Sequence, residues 1–163
     1  MTQPHRIWSL AQRIVDKAGA EGLLIATAES CTGGMVAAAI TDVPGSSAVL
    51  DRGFVTYSND AKMEMLGVAA AVIARFGAVS QQTARAMAEG ALKRSRADIA
   101  IAITGIAGPS GGTDRKPVGL VWFALAAKSA PTRAERRVFT DGDRSFVRMR
   151  AAETALTLTL RAM

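Results

Sequence analysis

Thr27, Glu29, Ser30, Cys31 and Thr32 crowd together between the apolar runs "LLIA" and "MVAAAI", and Gly33 and Gly34 follow directly. Polar side chains at that density resist burial unless they find partners. A strand that passes through such a turn into a helix presents several backbone N–H groups at the helix start. Geometry and dipole there favour an anion or an oxyanion. Ser30, Cys31 and Thr32 each bring a nucleophilic atom beside those donors. The same residues have plainer uses. Ser30 or Thr32 suits a helix N-cap. Cys31 suits a small core position as well as a helix-start thiol of lowered pKa.

A hydroxyl nucleophile needs a base. The chain has one histidine, His5, in what reads as a frayed amino-terminal tail. The remaining candidates are Lys62, Tyr57 and Glu29. The stretch "YSNDAK" sets Tyr57, the only tyrosine, five residues before Lys62. Desolvation lowers a lysine pKa enough for base catalysis, and serine–lysine pairs are a variant of the triad logic. An exposed helix-face lysine and a packed tyrosine are the plainer alternatives.

Two further stretches complete the set. "TGIAGPSGGTDRKP" holds Thr104, Gly105 and three more glycines. Glycine lets a backbone approach a ligand closely. The spacing is neither that of a P-loop nor G-x-G-x-x-G, so it predicts a ligand wall with Thr104 donating its hydroxyl to the ligand. "DGDRSFVRMR" places Arg144 just after a capping Asp143, and Arg148 one turn on, on the same face. Two such arginines suit a phosphate or carboxylate, or pair with Asp141 and Asp143. Jointly these groups suggest attack on a carbonyl of an anionic small molecule.

The elements that must position them follow from pattern. The 163 residues suit one domain spanning 1–163, and 49% of them are hydrophobic. Aromatics are only 5%, so Ala, Leu, Ile, Val and Met must supply the core. A single cysteine excludes an internal disulfide and argues against a Cys/His zinc site. No apolar run approaches the roughly 18 residues of a spanning helix. The amino terminus lacks the apolar core of a signal peptide, so a soluble cytoplasmic protein is expected. The net charge of +6 suits an anionic substrate, a nucleic acid or mere solubility.

Helical spacing at Ile7, Leu10, Ala11, Ile14, Val15 and Ala18 predicts a first helix stopping at Gly19. Strands are expected at 23–27, 53–58, 98–104, 118–127 and 136–140. Helices are expected after Gly34, at 59–66 with Asn59 or Asp60 as cap, after Ser80, and after Asp143. Interleaved elements predict an α/β sandwich around a mixed or mostly parallel sheet. Ligands bind beyond the carboxyl ends of such strands, where the loops after Thr27, Ser58 and Thr104 converge.

The stretches "ATAESCTGGMVAAAITDVPGSSAVLDRGFVTYSNDAKMEMLGV", "GAVSQQTARAMAEGA", "ADIAIAITGIAGPSGGTDRKPVGLVWFALA" and "FTDGDRSFVR" resemble the CinA-type C-terminal domain, in order and without large gaps. That family includes stand-alone nicotinamide-mononucleotide (NMN) amidohydrolases. The resemblance implies a three-layer α/β/α fold and hydrolysis of the NMN carboxamide to nicotinate mononucleotide and ammonia, with no metal and no cofactor. It implies Ser30 as nucleophile, Lys62 and Tyr57 as its activating partners, and Thr104 and Arg144 as substrate-positioning residues. Beside it, the backbone N–H groups of Cys31, Thr32, Gly33 and Gly34 are assigned as the oxyanion hole, Gly105 to the substrate wall, and Arg148 to the phosphate clamp. Asp51 and Arg52 stand where small or apolar residues are expected. A non-catalytic module that binds a phosphorylated ligand and acts through a partner protein is the main rival. A nucleic-acid binder is disfavoured by the few aromatics and the lack of a dense basic run. The Ala-rich helix faces suggest a homodimer or another homo-oligomer.

Overall fold

The apolar stripe from Leu10 to Ala18 is the buried face of α1 (Gln3–Glu21) in the computed structural model, which describes residues 3–163. Met1 and Thr2 lie outside the described residues. The helix runs through Gly19 and stops at Gly22, whose φ of 67° is the left-handed conformation that ends helices. His5 is therefore an exposed residue of α1, not part of a frayed tail.

Five strands form one mixed sheet: β1 (Ile25–Glu29), β2 (Leu50–Val55), β3 (Ile99–Gly105), β4 (Leu120–Ala127) and β5 (Ala130–Val138), in the order β2-β1-β3-β4-β5. β2, β1 and β3 are parallel, while β4 and β5 are antiparallel additions. β1 starts later than its apolar run suggests. The Leu24 N–H bonds the Asp98 carboxylate and its C=O accepts from the Asp98 N–H, so the regular ladder begins at Ile25. β2 starts earlier, because the Ile25 N–H already bonds the Val49 C=O at 2.8 Å. Its last rung is Thr56 N–H to Glu29 C=O at 2.8 Å, after which the chain turns into the site.

Side-chain alternation divides the core. Ile101, Ile103, Val121 and Phe123 face α1, α2 (Met35–Thr41) and α6 (Arg144–Arg161). Ala100, Ala102, Ala124 and Ala126 face α5 (Gln81–Lys93). Small residues on that second face let α5 lie close to the sheet, and its own inner face is Ala84, Met87, Ala88 and Ala91. α3 (Asn59–Leu66) packs against α5 so tightly that a Cβ on Gly90 would stand 2.0 Å from the Leu66 carbonyl oxygen. The architecture is thus three layers, α/β/α.

Local signals place the helices around the site. The Ser58 hydroxyl, rather than Asn59 or Asp60, accepts from the Ala61 N–H and caps α3, and Gly67 ends it with φ of 68°. Ser80 caps α5 through the Thr83 N–H, and Asp143 caps α6 through the Phe146 N–H. A short helix, α4 (Ala70–Phe76), was not expected from the pattern and has no side-chain cap. Asp51 and Arg52 tie the edge strand to the 94–96 turn. The Asp51 carboxylate accepts from the Arg96 N–H at 3.1 Å and from the Arg52 and Arg96 side chains, and Arg52 donates to the Arg94 C=O. Among the described residues no helix is long and apolar enough to cross a membrane.

Candidate active site

The turn after β1 is built by a buried carboxylate. Glu29, the last residue of β1, is fully buried and accepts from Gly34 N–H at 3.0 Å, Val36 N–H at 3.1 Å and Ala37 N–H at 2.9 Å. It thereby satisfies the start of α2 and neutralises its positive end. Neither Ser30 nor Thr32 caps α2, and Thr32 Oγ1 is buried with no partner among the described residues. Glu29 is likewise committed as an acceptor and does not serve as the base. Gly33 and Gly34 adopt φ of 61° and 100°, conformations that favour glycine. The Gly33 N–H bonds the Ser30 C=O at 3.1 Å. The amides of Gly33 and Gly34 are therefore occupied within the turn, which removes both from the expected oxyanion hole. Those of Cys31 and Thr32 have no acceptor among the described residues, and of the two residues only Cys31 lines the cleft that holds Ser30 and Lys62.

Ser30 is pinned to the sheet by its N–H on the Ile103 C=O at 2.9 Å. Lys62, on the first turns of α3, is 1% exposed, and its Nζ stands 3.1 Å from Ser30 Oγ. The same nitrogen reaches the Thr56 C=O at 2.9 Å and the Ser58 C=O at 3.4 Å. Among the described residues no carboxylate pairs with it. Burial pushes its pKa below the usual lysine range. A neutral amine has two N–H donors and one lone pair. With all three protons in place Nζ donates to both carbonyls and to Ser30 Oγ; with one lost, two donors stay on the carbonyls and the lone pair faces the Ser30 hydroxyl.

Cys31 is no competitor. Burial raises its thiol pKa to about 12, opposite to the lowering expected at a helix start, so the thiolate is absent near neutral pH.

One cleft of about 210 Å³ gathers Ser30, Cys31, Lys62, Tyr57, Thr104, Gly105 and Arg144. Arg144 donates Nη1 to the Gly108 C=O at 2.7 Å and Nη2 to the Tyr57 hydroxyl at 2.8 Å. Two of its five N–H donors are so employed, and three remain for an anion. Tyr57 is 62% exposed, and its hydroxyl accepts from Arg144 at the rim and has no hydrogen bond to Lys62 or Ser30. Thr104 is buried and gives its proton to the Ala78 C=O at 2.8 Å. Its oxygen is left as an acceptor toward the cleft, the reverse of the expected donor. Gly105 stays flush with the wall, since a Cβ there would meet the Leu120 carbonyl at 2.8 Å.

Arg148 does not line this cleft. Its Nε and Nη2 donate to the carbonyls of Cys31 at 3.0 Å and Thr32 at 3.1 Å, and of the two arginines of the expected phosphate clamp only Arg144 lines the cleft. Thr32, Gly33 and Gly34 also stand off the cleft. Residues that the motifs did not single out complete the lining: Asn59, Ala78, Val79 and Ala107. The hydroxyl of Thr104 on Ala78 is the tie that brings the α4–α5 connection there, and no local sequence signal announces it.

Comparison with known proteins agrees with this architecture. The family model for the CinA C-terminal domain matches residues 8–163. The nicotinamide-nucleotide amidohydrolase PncC of Escherichia coli strain K12 is 50% identical, over 92% of this chain and 90% of that protein. A CinA-like protein of Akkermansia muciniphila is 51% identical over 94% of this chain, which spans only 37% of that longer relative. The crystal structure of competence/damage inducible protein CihA from Agrobacterium tumefaciens superposes with a TM-score of 0.94 at 51% identity, covering 96% of this chain and 94% of that one. The chain belongs to the CinA C-terminal domain family.

Proposed function

We propose that the protein hydrolyses the carboxamide of nicotinamide mononucleotide to nicotinate mononucleotide and ammonia. The observation that supports this most is the contact between the buried Lys62 amine and the Ser30 hydroxyl. The names of relatives about 50% identical over nearly the whole of both chains supply the substrate. Lys62, neutral in its pocket, takes the hydroxyl proton as Ser30 Oγ adds to the amide carbon and the carbonyl electrons move to oxygen. The N–H of Cys31, which lines the cleft, receives that oxyanion, a donor worth ~3 kcal/mol in comparable sites. Lys62 returns the proton to the amide nitrogen, ammonia leaves, and an acyl ester stays on Ser30. Water, deprotonated by the same amine, then releases the acid and restores the serine.

The Thr104 oxygen accepts from the carboxamide NH2, and Arg144, braced by Tyr57, holds the phosphate. Sedimentation velocity reads whether the chain is a homo-oligomer. The deciding assay is ammonia release from NMN by wild type, Ser30→Ala and Lys62→Met. The expected result is turnover by wild type and a loss of ~10⁴-fold or more in both variants. NMN binding without ammonia release by the wild type instead identifies a ligand-binding module.

A further inference from the structure

A second cavity opens beside the cleft that holds Ser30 and Lys62. It measures about 410 Å³ and shares Val79 with that cleft. The sheet links the two. Trp122 on β4 stands opposite Thr104 of the cleft on β3, and opposite Arg136 on β5. Directly opposed residues of antiparallel strands project to the same face. Thr104, Trp122 and Arg136 therefore form one row that leads from the cleft into the cavity. The cavity wall is cationic. Arg115, Lys116 and Arg136 line it, and no acidic residue does. Arg115 and Arg136 are exposed and enter no ion pair among the described residues. Lys116 is fixed in place: its Nζ donates to the Phe76 C=O at 2.7 Å, which leaves two of its three N–H donors. Gly77 makes room for it, since a Cβ there would stand 2.9 Å from that nitrogen.

Like charges gathered at one cavity repel each other and suit an anion. Two aromatic rings, Phe76 and Trp122, share the wall with them. Arg75 lies over the Phe76 ring at 5.1 Å, whereas among the described residues no cation lies over Trp122. Cations that fit phosphate, beside an indole free to stack, recognise an aromatic base that carries phosphate. The volume falls in the roughly 300–1,000 Å³ range of small-ligand pockets. We propose that this cavity is a second ligand site, which binds a nucleoside diphosphate with the base against Trp122 and the phosphates on Arg115, Lys116 and Arg136. The site goes beyond the amide chemistry, because of its lining only Val79 also lines the cleft.

Trp122 is its own reporter. The chain has one other tryptophan, Trp8 on α1, so Trp8→Phe leaves a single indole. Adenosine diphosphate titrated into Trp8→Phe, with no NMN present, is expected to change the Trp122 emission saturably. Pyrophosphate is expected to bind ~10-fold more weakly for want of a base to stack, and adenosine ~10-fold more weakly for want of phosphate. Adding Arg136→Ala or Arg115→Ala, both at exposed positions, should raise Kd ~10-fold, whereas Arg144→Ala in the cleft should leave it within about twofold. An emission that does not respond overturns the proposal, and so does equal affinity for pyrophosphate or adenosine. A Kd unmoved by both Arg136→Ala and Arg115→Ala, or lost only in Arg144→Ala, overturns it as well. The readout needs neither NMN nor turnover. A wild-type protein that releases no ammonia from NMN therefore ends the amidohydrolase reading and leaves this site standing.

Discussion

Lys62 Nζ lies 3.1 Å from Ser30 Oγ although 32 positions separate them in the chain. The parallel pair β1 and β2 brings them together. Ser30 follows the end of β1, and Lys62 sits one turn into the helix after β2, so both project beyond the same edge of the sheet. The pocket that results buries an amine that has no paired carboxylate among the described residues.

That pocket sets a pH dependence. The folded pKa of Lys62 is lowered from 10.5 by burial, so kcat/KM rises with pH as the amine loses its proton. Stability has the same sign. Between the folded and unfolded pKa the unfolded chain binds more protons, so the Lys62 contribution grows as pH rises and is lost as pH falls through the folded value. Well below its ordinary value of 9.0 the Cys31 thiol is neutral in both states, and nearer 9 its contribution is common to wild type and Lys62→Met and cancels between them. Thermal melts taken at rising pH toward 10.5 should show wild type gaining stability relative to Lys62→Met. A parallel pair of curves contradicts the lowered pKa.

Tyr57 and Arg144 should act on binding. Arg144→Ala is expected to raise KM for NMN ~100-fold or more while changing that for nicotinamide riboside much less, because only NMN carries the phosphate. Tyr57→Phe should keep kcat within ~10-fold of wild type, since its hydroxyl bonds Arg144. A collapse of kcat in Tyr57→Phe, with KM unchanged, assigns Tyr57 to the proton path after all.

Glu29→Gln replaces an acceptor of three N–H bonds with a neutral amide whose single oxygen cannot serve them all. The expected loss is ~2 kcal/mol, a fall of roughly 4–8 °C in Tm for a chain of this size. Calorimetry at pH 7 measures it. A change under 1 °C means the α2 amides find other partners.

Cys31 should be chemically quiet. With its thiol pKa at about 12, alkylation by iodoacetamide at pH 8 is expected to be slower than that of a free cysteine by ~100-fold or more. Cys31→Ala should retain most of kcat. Rapid alkylation that abolishes turnover would make the thiol the nucleophile in place of Ser30.

The sequence by itself determined the layered α/β fold, because alternating helical and strand patterns report which faces are buried and depend on nearest neighbours along the chain. It determined as well which loops meet beyond the sheet, and the caps at Ser80 and Asp143, which are local signals. Glu29 escaped detection as the cap of α2, since it acts on amides five to eight positions ahead, outside any local capping pattern. Tertiary structure alone decided the fate of each polar group at the site. Arg144 and Arg148 read alike on a helical wheel, but one meets Tyr57 and open cleft and the other two carbonyls. Thr104 reads as a donor until Ala78, 26 positions away, takes its proton. The physical reason is the same throughout. Patterning fixes which surface of an element is buried, whereas hydrogen-bond partners, donor direction and pKa depend on atoms that only the folded chain brings within 3 Å.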